Sequence, residues 1–278
     1  MKFTKMHGCG NDYVYVNTIL QKIDDRNAFA KKVSDRHFGV GADGLICIDS
    51  SDVADFKMDM YNCDGSRGKM CGNGIRCVGK FVYEYGLTDK TTVTVETLGG
   101  IKILYLHVKD HVVESVKVCM GEPGFHAADI PVSIESDTVL GYCLEIDGIQ
   151  WVVSCVSMGN PHAVIFVEDT ESLDLGKIGP LIEQHPMFPE RTNVEFVQIV
   201  NRDCLKMRVW ERGSGETLAC GTGTCAALVI SALFGYTNSK ANVHVRGGQL
   251  EIEWDRESNL VYMTGPAEIV FEGEIKET

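Results

Sequence analysis

Apolar and polar residues alternate with period two in several stretches, among them Val93-Thr94-Val95-Glu96 ahead of Gly99-Gly100, and Val243-His244-Val245 ahead of Gly247-Gly248. Side chains two apart share a strand face, so each stretch predicts a half-buried β-strand, a Gly-Gly turn and a second strand. Ile75 to Tyr85 and Thr224 to Phe234 instead predict helices. Each is followed by a glycine, Gly86 or Gly235, where a helix C-terminal glycine belongs.

Both kinds of element occur twice, and the two occurrences belong to one repeat. A shift of 149 positions lays Gly10-Asn11 on Gly159-Asn160, Met58 on Met207, Tyr61 on Trp210, Cys71-Gly72 on Cys220-Gly221, Gly74 on Gly223 and Gly86 on Gly235. Ordered matches at a single offset imply duplication into two similar domains related by an approximate two-fold axis. Equivalent residues would then face one another across the cleft between the copies, a favoured place for a small-molecule site. Strands that change course through Gly and Pro, VKVCMGEPG and VYMTGPA, put the first domain at 1–120 with 265–278 and the second at 121–264. No stretch reads as a low-complexity linker.

Composition narrows the class of function. A chain of 278 residues with 44% hydrophobic content has room for two cores. A formal charge of -13 argues against general affinity for nucleic-acid phosphates or anionic membranes. MKFTKMHGCGNDYVYV lacks the apolar core of a signal peptide, and the longest apolar run, Cys225 to Phe234, falls far short of the ~20 residues that span a bilayer. A cytoplasmic protein with a small-molecule substrate is the expectation. The eleven cysteines are odd in number and scattered, which fits reduced thiols better than a disulfide framework. No CxxC occurs, so no metal is expected. Cys47, Cys119, Cys143, Cys155 and Cys204 read as small core hydrophobes.

Cys71 and Cys220 are different. Each lies in the order strand, glycine-rich turn, cysteine, Gly-x-Gly, apolar helix. A helix N-terminus offers free N–H groups and a positive dipole end, which stabilise a thiolate and attract a carboxylate. Two such ends facing one substrate would let one cysteine take an α-proton as thiolate and the other return one to the opposite face. The resulting carbanion would be stabilised by the helix ends rather than by an electron-sink cofactor, with Asn73 and Thr222 as further donors. A redox pair that closes to a disulfide is a different reading of the same two thiols. Gly74 to Lys80 mimics a phosphate-binding loop, but Phe81 stands where Ser or Thr is needed and the segment reads as helix.

In the repeat frame Asn11 falls on Asn160, Asn62 on Glu211 and Gly44 on Asn193. Asparagine amides both donate and accept, which suits orienting an ammonium and a carboxylate, though Gly-Asn and Asn-Pro are also ordinary turn chemistry. Arg212 has no basic counterpart at Cys63, and its guanidinium could clamp a carboxylate at the far end of a substrate. His162 and Glu211 could tune the thiols.

MHGCGNDYVYVN, FGVGADGL, MYNCDGSRGKMCGNGIRC, MGNPHAV, RTNVEFV and WERGSGETLACGTGTCA together closely resemble the diaminopimelate epimerase family. The resemblance implies an α/β protein of α+β type. Its two pseudo-symmetric domains would each be a mainly antiparallel barrel-like sheet around a central helix. It implies interconversion of LL- and meso-2,6-diaminoheptanedioate without a cofactor, in the synthesis of lysine and peptidoglycan precursors. Cys71 and Cys220 would be the acid/base pair. Asn11, Asn62, Asn160, Asn193, Glu211 and Arg212 would bind substrate, together with Gly72, Asn73, Gly221 and Thr222 at the helix ends. His162 and Glu211 would support the cysteines. Gly44 departs from family members with glutamine there. A homodimer is implied by the resemblance, but Phe271 departs from it, at a position where some members carry a tyrosine associated with dimer contacts. A proline or hydroxyproline racemase shares the two-thiol logic, but its monocarboxylate substrate gives Arg212 nothing to hold. Outside catalysis, a thiol redox sensor or a small-molecule binding protein remains open.

Overall fold

The computed structural model describes residues 1–276. In chain order the elements are β1 (Lys2–Gly8), β2 (Asn11–Asn17), α1 (Arg26–Ser34), β3 (Gly44–Asp49), β4 (Phe56–Asn62), β5 (Arg67–Gly68), α2 (Gly72–Glu84), β6 (Thr92–Thr97), β7 (Gly100–Lys109) and β8 (Val112–Gly121). They continue as β9 (Tyr142–Ile146), β10 (Ile149–Ser157), β11 (Pro161–Phe166), α3 (Leu175–Glu183), β12 (Asn193–Asn201), β13 (Cys204–Glu211), β14 (Gly215–Thr217), α4 (Gly221–Leu233), β15 (Lys240–Val245), β16 (Gly248–Asp255), β17 (Leu260–Gly265) and β18 (Glu268–Glu274). The chain forms two compact units, one from Met1–Cys119 with the segment that begins at Thr264, the other from Met120–Met263.

In the first unit the strands pair in the series β18, β1, β2, β3, β4, β6, β7, β8, with β5 added to β4. All pairings are antiparallel except β2 with β3 and β4 with β6. The second unit repeats the series as β9, β10, β11, β12, β13, β15, β16, with β14 on β13, and again two steps are parallel, β11 with β12 and β13 with β15. Mainly antiparallel pairing agrees with the expectation, but among the described residues neither series returns to its first strand, so neither closes into a barrel.

The parallel steps account for all four helices among the described residues. A parallel pair needs a crossover of a dozen or more residues, usually helical, and α1, α2, α3 and α4 are the four crossovers. Only α2 and α4 were expected from the sequence. Both start three residues earlier than Ile75 and Thr224, and the residue before each first turn is the cysteine. Gly86 and Gly235 follow their ends at φ 68° and 74°, the left-handed conformation that closes a helix. In each of these helices 11 of the 13 residues are buried, as befits a helix that is packed on every side. α2 packs on β1, β2 and β7, and α4 on β10 to β13, β15 and β16.

Two further cores lie beneath the shorter helices. Val14, Val16, Ala30, Val33, Leu45 and Tyr61 join α1 to the first sheet, and Cys155, Ile165, Leu175, Ile182 and Phe196 join α3 to the second. Cys47 and Cys155 are fully buried as expected, but Cys119 and Cys204 are half-buried and Cys143 is exposed. Strand parity explains the difference: on β9 Leu144 and Ile146 point inward, which turns Cys143 outward.

Candidate active site

Each unit carries a candidate cluster of its own, built on the N-terminus of its buried helix. Cys71 is the N-cap of α2 with extended backbone, φ -128° and ψ 119°, and its sulfur accepts the Gly74 N–H at 3.3 Å. Cys220 caps α4 in the same way, φ -112° and ψ 112°, and accepts the Gly223 N–H at 3.4 Å. Sulfur here does what a serine oxygen does at an ordinary N-cap, meeting a backbone N–H that the helix leaves without a partner. Such an N–H bond favours the thiolate over the thiol.

Around Cys71 the thiol donates to Asn11 Oδ1 at 3.1 Å, and Asn11 Nδ2 donates to Asp43 Oδ2 at 2.8 Å. Asp43 is in turn held by Arg36 Nη2 at 2.9 Å, and the same guanidinium reaches Asp12 at 3.0 Å. The glycine turn at Gly10, φ 81°, delivers Asn11 to this place, and Gly159, φ 87°, does the same for Asn160. Tyr13 is buried on β2 and faces Cys71. Burial, followed by the charge and hydrogen bond of Cys71, pushes its hydroxyl well above the ordinary phenol value.

Cys220 lies in a more acidic setting. Burial first, then the charges of Glu211 and Glu195, push its thiol well above the ordinary value. Thr222 Oγ1 lies 3.5 Å from the sulfur. Glu211 shares a hydrogen bond with Cys220, and burial raises its carboxyl as well. Behind them His162 Nδ1 pairs with Glu195 Oε1 at 2.7 Å, with both side chains fully buried, and His162 Nε2 contacts Asn160 Oδ1 at 3.0 Å.

Asn193 stitches two parts of this half together. Its Nδ2 donates to the Pro161 carbonyl at 2.9 Å, and its Oδ1 accepts the Arg212 N–H at 2.9 Å. The turn after β13 is also held by Glu183, the last residue of α3, which accepts from Gly213 N–H at 2.9 Å and from Trp210 Nε1 at 2.8 Å. The Arg212 side chain itself is exposed, with Nη1 donating to the Glu190 carbonyl at 3.1 Å.

Of the residues singled out in the sequence, the structure gathers Asn11 with Cys71, and places Gly72 and Asn73 in the first turn of α2, both buried. Around Cys220 it gathers Glu211 and Thr222, with Gly221 in the first turn of α4 and His162 linked to Asn160 through its ring. Asn62 is half-buried at the end of β4 and bonds Ser66 Oγ at 2.9 Å instead of the Cys71 cluster. At Gly44 even a Cβ would lie 2.1 Å from the Tyr61 carbonyl oxygen, so the backbone leaves no room for a side chain. Sequence reasoning missed Tyr13, Asp43 and Glu195. The signal for Glu195 was present in NVEFVQIV, where a carboxylate interrupts an otherwise apolar strand.

Solved structures with this duplicated α+β fold include a PhzF-family phenazine biosynthesis protein from Bacillus anthracis, with TM-score 0.72, 19% identity and coverage of 100% of this chain and 99% of that one. A hydroxyproline epimerase from Agrobacterium vitis gives TM-score 0.69 at 14% identity, covering 99% and 90%. At these identities the likeness defines the two-domain fold class alone. Sequence is more specific. The diaminopimelate epimerase family model matches residues 3–126 and 154–270. Diaminopimelate epimerases from Methanococcus maripaludis strain C5 and Acetivibrio thermocellus are 57% and 56% identical over 275 residues, covering 99% of this chain and 99% and 98% of their own. The chain belongs to the diaminopimelate epimerase family.

Proposed function

We propose that this protein interconverts LL- and meso-2,6-diaminoheptanedioate by two-base proton transfer without an electron-sink cofactor. In each direction one cysteine, as thiolate, removes the α-proton. The other, as thiol, gives a proton to the opposite face, so the centre inverts and the enzyme's protons exchange places. The observation that carries this reading is the matched pair of caps: Cys71 and Cys220 hold equivalent positions, each sulfur on the third N–H of a buried helix. The amides of Gly72 and Asn73 and of Gly221 and Thr222 would take the α-carboxylate and stabilise the enediolate-like charge as the proton leaves.

The other assignments rest on chemistry and placement. Asn11, Asn62, Asn160 and Asn193 would orient the ammonium and carboxylate, with Asn73 and Thr222 as donors. Arg212 offers an exposed guanidinium to the second carboxylate. His162 and Glu211 would tune the thiols, and Glu211, within reach of Cys220, would also meet the substrate ammonium. Epimerisation in D2O tests the reading: deuterium should enter the α-position of LL-diaminopimelate, and Cys71→Ala or Cys220→Ala should lower epimerisation at least ~100-fold. Absence of exchange in the reduced wild-type protein overturns it.

Assembly and location complete the proposal. We propose a homodimer through β18, because Val270 and Phe271 are about half exposed there, at 52% and 45%, and Phe271 stacks edge-on to Phe3 at 5.9 Å. An apolar pair on a surface strand is a candidate contact. Sedimentation should show a dimer that Phe271→Glu converts to monomer; a monomeric wild type rejects it. Eleven cysteines in the sequence suit a reducing cytoplasm, and among the described residues no helix is long and apolar enough to cross a membrane.

A further inference from the structure

Arg76 is a fully buried arginine that the reaction scheme above does not use. It belongs to the second turn of α2, and helical side chains lean toward the N-terminus. Its guanidinium therefore turns back along the helix. Nη1 donates to the Gly72 carbonyl at 3.1 Å, Nε to the Pro266 carbonyl at 3.1 Å, and Nη2 approaches the Cys9 sulfur at 3.8 Å. One rigid fork thus joins the first residue of α2, the loop that delivers Asn11, and the segment leading into β18.

Two further facts mark this as a built junction. Cys9 has φ 52°, a left-handed conformation that a non-glycine side chain adopts only where its surroundings impose it. At Gly8 a Cβ would lie 2.8 Å from Arg76 Nη2 and 2.9 Å from the Asn73 carbonyl oxygen. The repeat supplies a control. The position equivalent to Arg76 is Cys225, and the position equivalent to Gly8 is Ser157. The copy that lacks the arginine carries a side chain where the copy that has it carries none.

The sign of the charge is unusual. A cation near a helix N-terminus opposes the helix dipole. A buried cation in this position is favourable when an anion shares it, and the Cys71 sulfur caps the same helix start, one residue before the Gly72 whose carbonyl Arg76 holds.

We propose that Arg76 is a positioning residue for the Cys71 half of the site, one that fixes the Asn11 loop against the start of α2 and supplies a permanent positive charge to the Cys71 thiolate. The proposal rests on Cys71 being an acid/base group. Its charge effect can nevertheless be read without turnover. The other ionisable groups facing this place are Tyr13 and Tyr15 from β2, Cys77 from α2, Cys9 from the β1–β2 loop, and Asp43 with its partner Arg36 from the segment before β3. None of these changes in the test.

The rate of Cys71 alkylation by iodoacetamide at one neutral pH, followed by peptide mass spectrometry with Cys220 as internal reference, reports the thiolate fraction. Arg76→Met should slow Cys71 about tenfold, the effect of one pH unit in its midpoint, and leave Cys220 unchanged. Arg76→Lys keeps the charge but not the three-way fork. It should leave alkylation within about twofold, while kcat/KM falls about tenfold or more. An unchanged Cys71 rate in folded Arg76→Met overturns the electrostatic part, and wild-type kcat/KM in Arg76→Lys overturns the positioning part. Gly8→Ser, which pushes the guanidinium off the junction, should slow both Cys71 alkylation and turnover. If Arg76→Met does not fold, a wild-type Cys71 rate in Gly8→Ser overturns the charge effect. If the protein alkylates as expected but never exchanges substrate deuterium, the role proposed for the two cysteines fails and the Arg76 charge effect stands.

Discussion

Cys220 feels the charge of two carboxylates, and this sets the direction of a direct test. Glu211 and Glu195 oppose formation of its thiolate, so removing one negative charge lowers the thiol's pKa and raises the fraction ionised at a given pH. Glu211→Gln should therefore speed alkylation of Cys220 at mildly alkaline pH by about three- to tenfold, for a shift of roughly half to one unit. Epimerisation should fall in the same variant, because a more reactive thiol without its carboxylate partner has lost the group it exchanges a hydrogen bond with. An alkylation rate equal to that of the wild type would remove Glu211 from the thiol's surroundings. Much of this level was open to sequence reasoning, because one offset superposes Cys71 on Cys220 and Asn11 on Asn160. The same offset hid Tyr13, Asp43, Arg76 and Glu195. It pairs them with His162, Thr192, Cys225 and Ile46, residues of different chemistry, so a search for likeness passes over the places where the copies diverged.

At the scale of elements, several strands and the two buried helices were legible from period and from terminal glycines, while α1 and α3 were not. α1 reads Arg-Asn-Ala-Phe-Ala-Lys-Lys-Val-Ser with few apolar positions, and α3 contains Gly176, Gly179 and Pro180, all poor helix formers. They are helical because the strands they connect run parallel, a fact of tertiary pairing that no short window contains. Gly179 shows the packing at work. A Cβ there would lie 2.5 to 2.8 Å from the Trp210 ring, whereas the equivalent pair in the first unit is Ala30 and Tyr61. A larger ring in one copy is matched by a smaller helix residue. Gly179→Ala should gain at most ~1 kcal/mol in helix propensity and lose ~1–3 kcal/mol to overpacking. A lower urea midpoint by tryptophan fluorescence is expected; a midpoint at or above that of the wild type would show that Trp210 moves aside freely. Because Trp210 precedes Glu211 and shares Glu183 with the Arg212 turn, activity should fall along with stability.

For the whole molecule, the duplication is uneven in its connectivity. The second unit is one continuous piece of chain, Met120–Met263. The first is interrupted, and its sheet is completed only when β18 pairs with β1, Lys2 opposite Glu274, while the Met1 ammonium donates to the Ile275 carbonyl at 2.6 Å. On the ribosome this reverses order of manufacture and order of completion. Strand β1 waits for β18, which at about 5–20 residues per second is a delay of roughly 15–50 s. Meanwhile the unit begun second has every one of its residues to hand, so the unit carrying Cys220 can finish first and the unit carrying Cys71 is sealed only when β18 emerges.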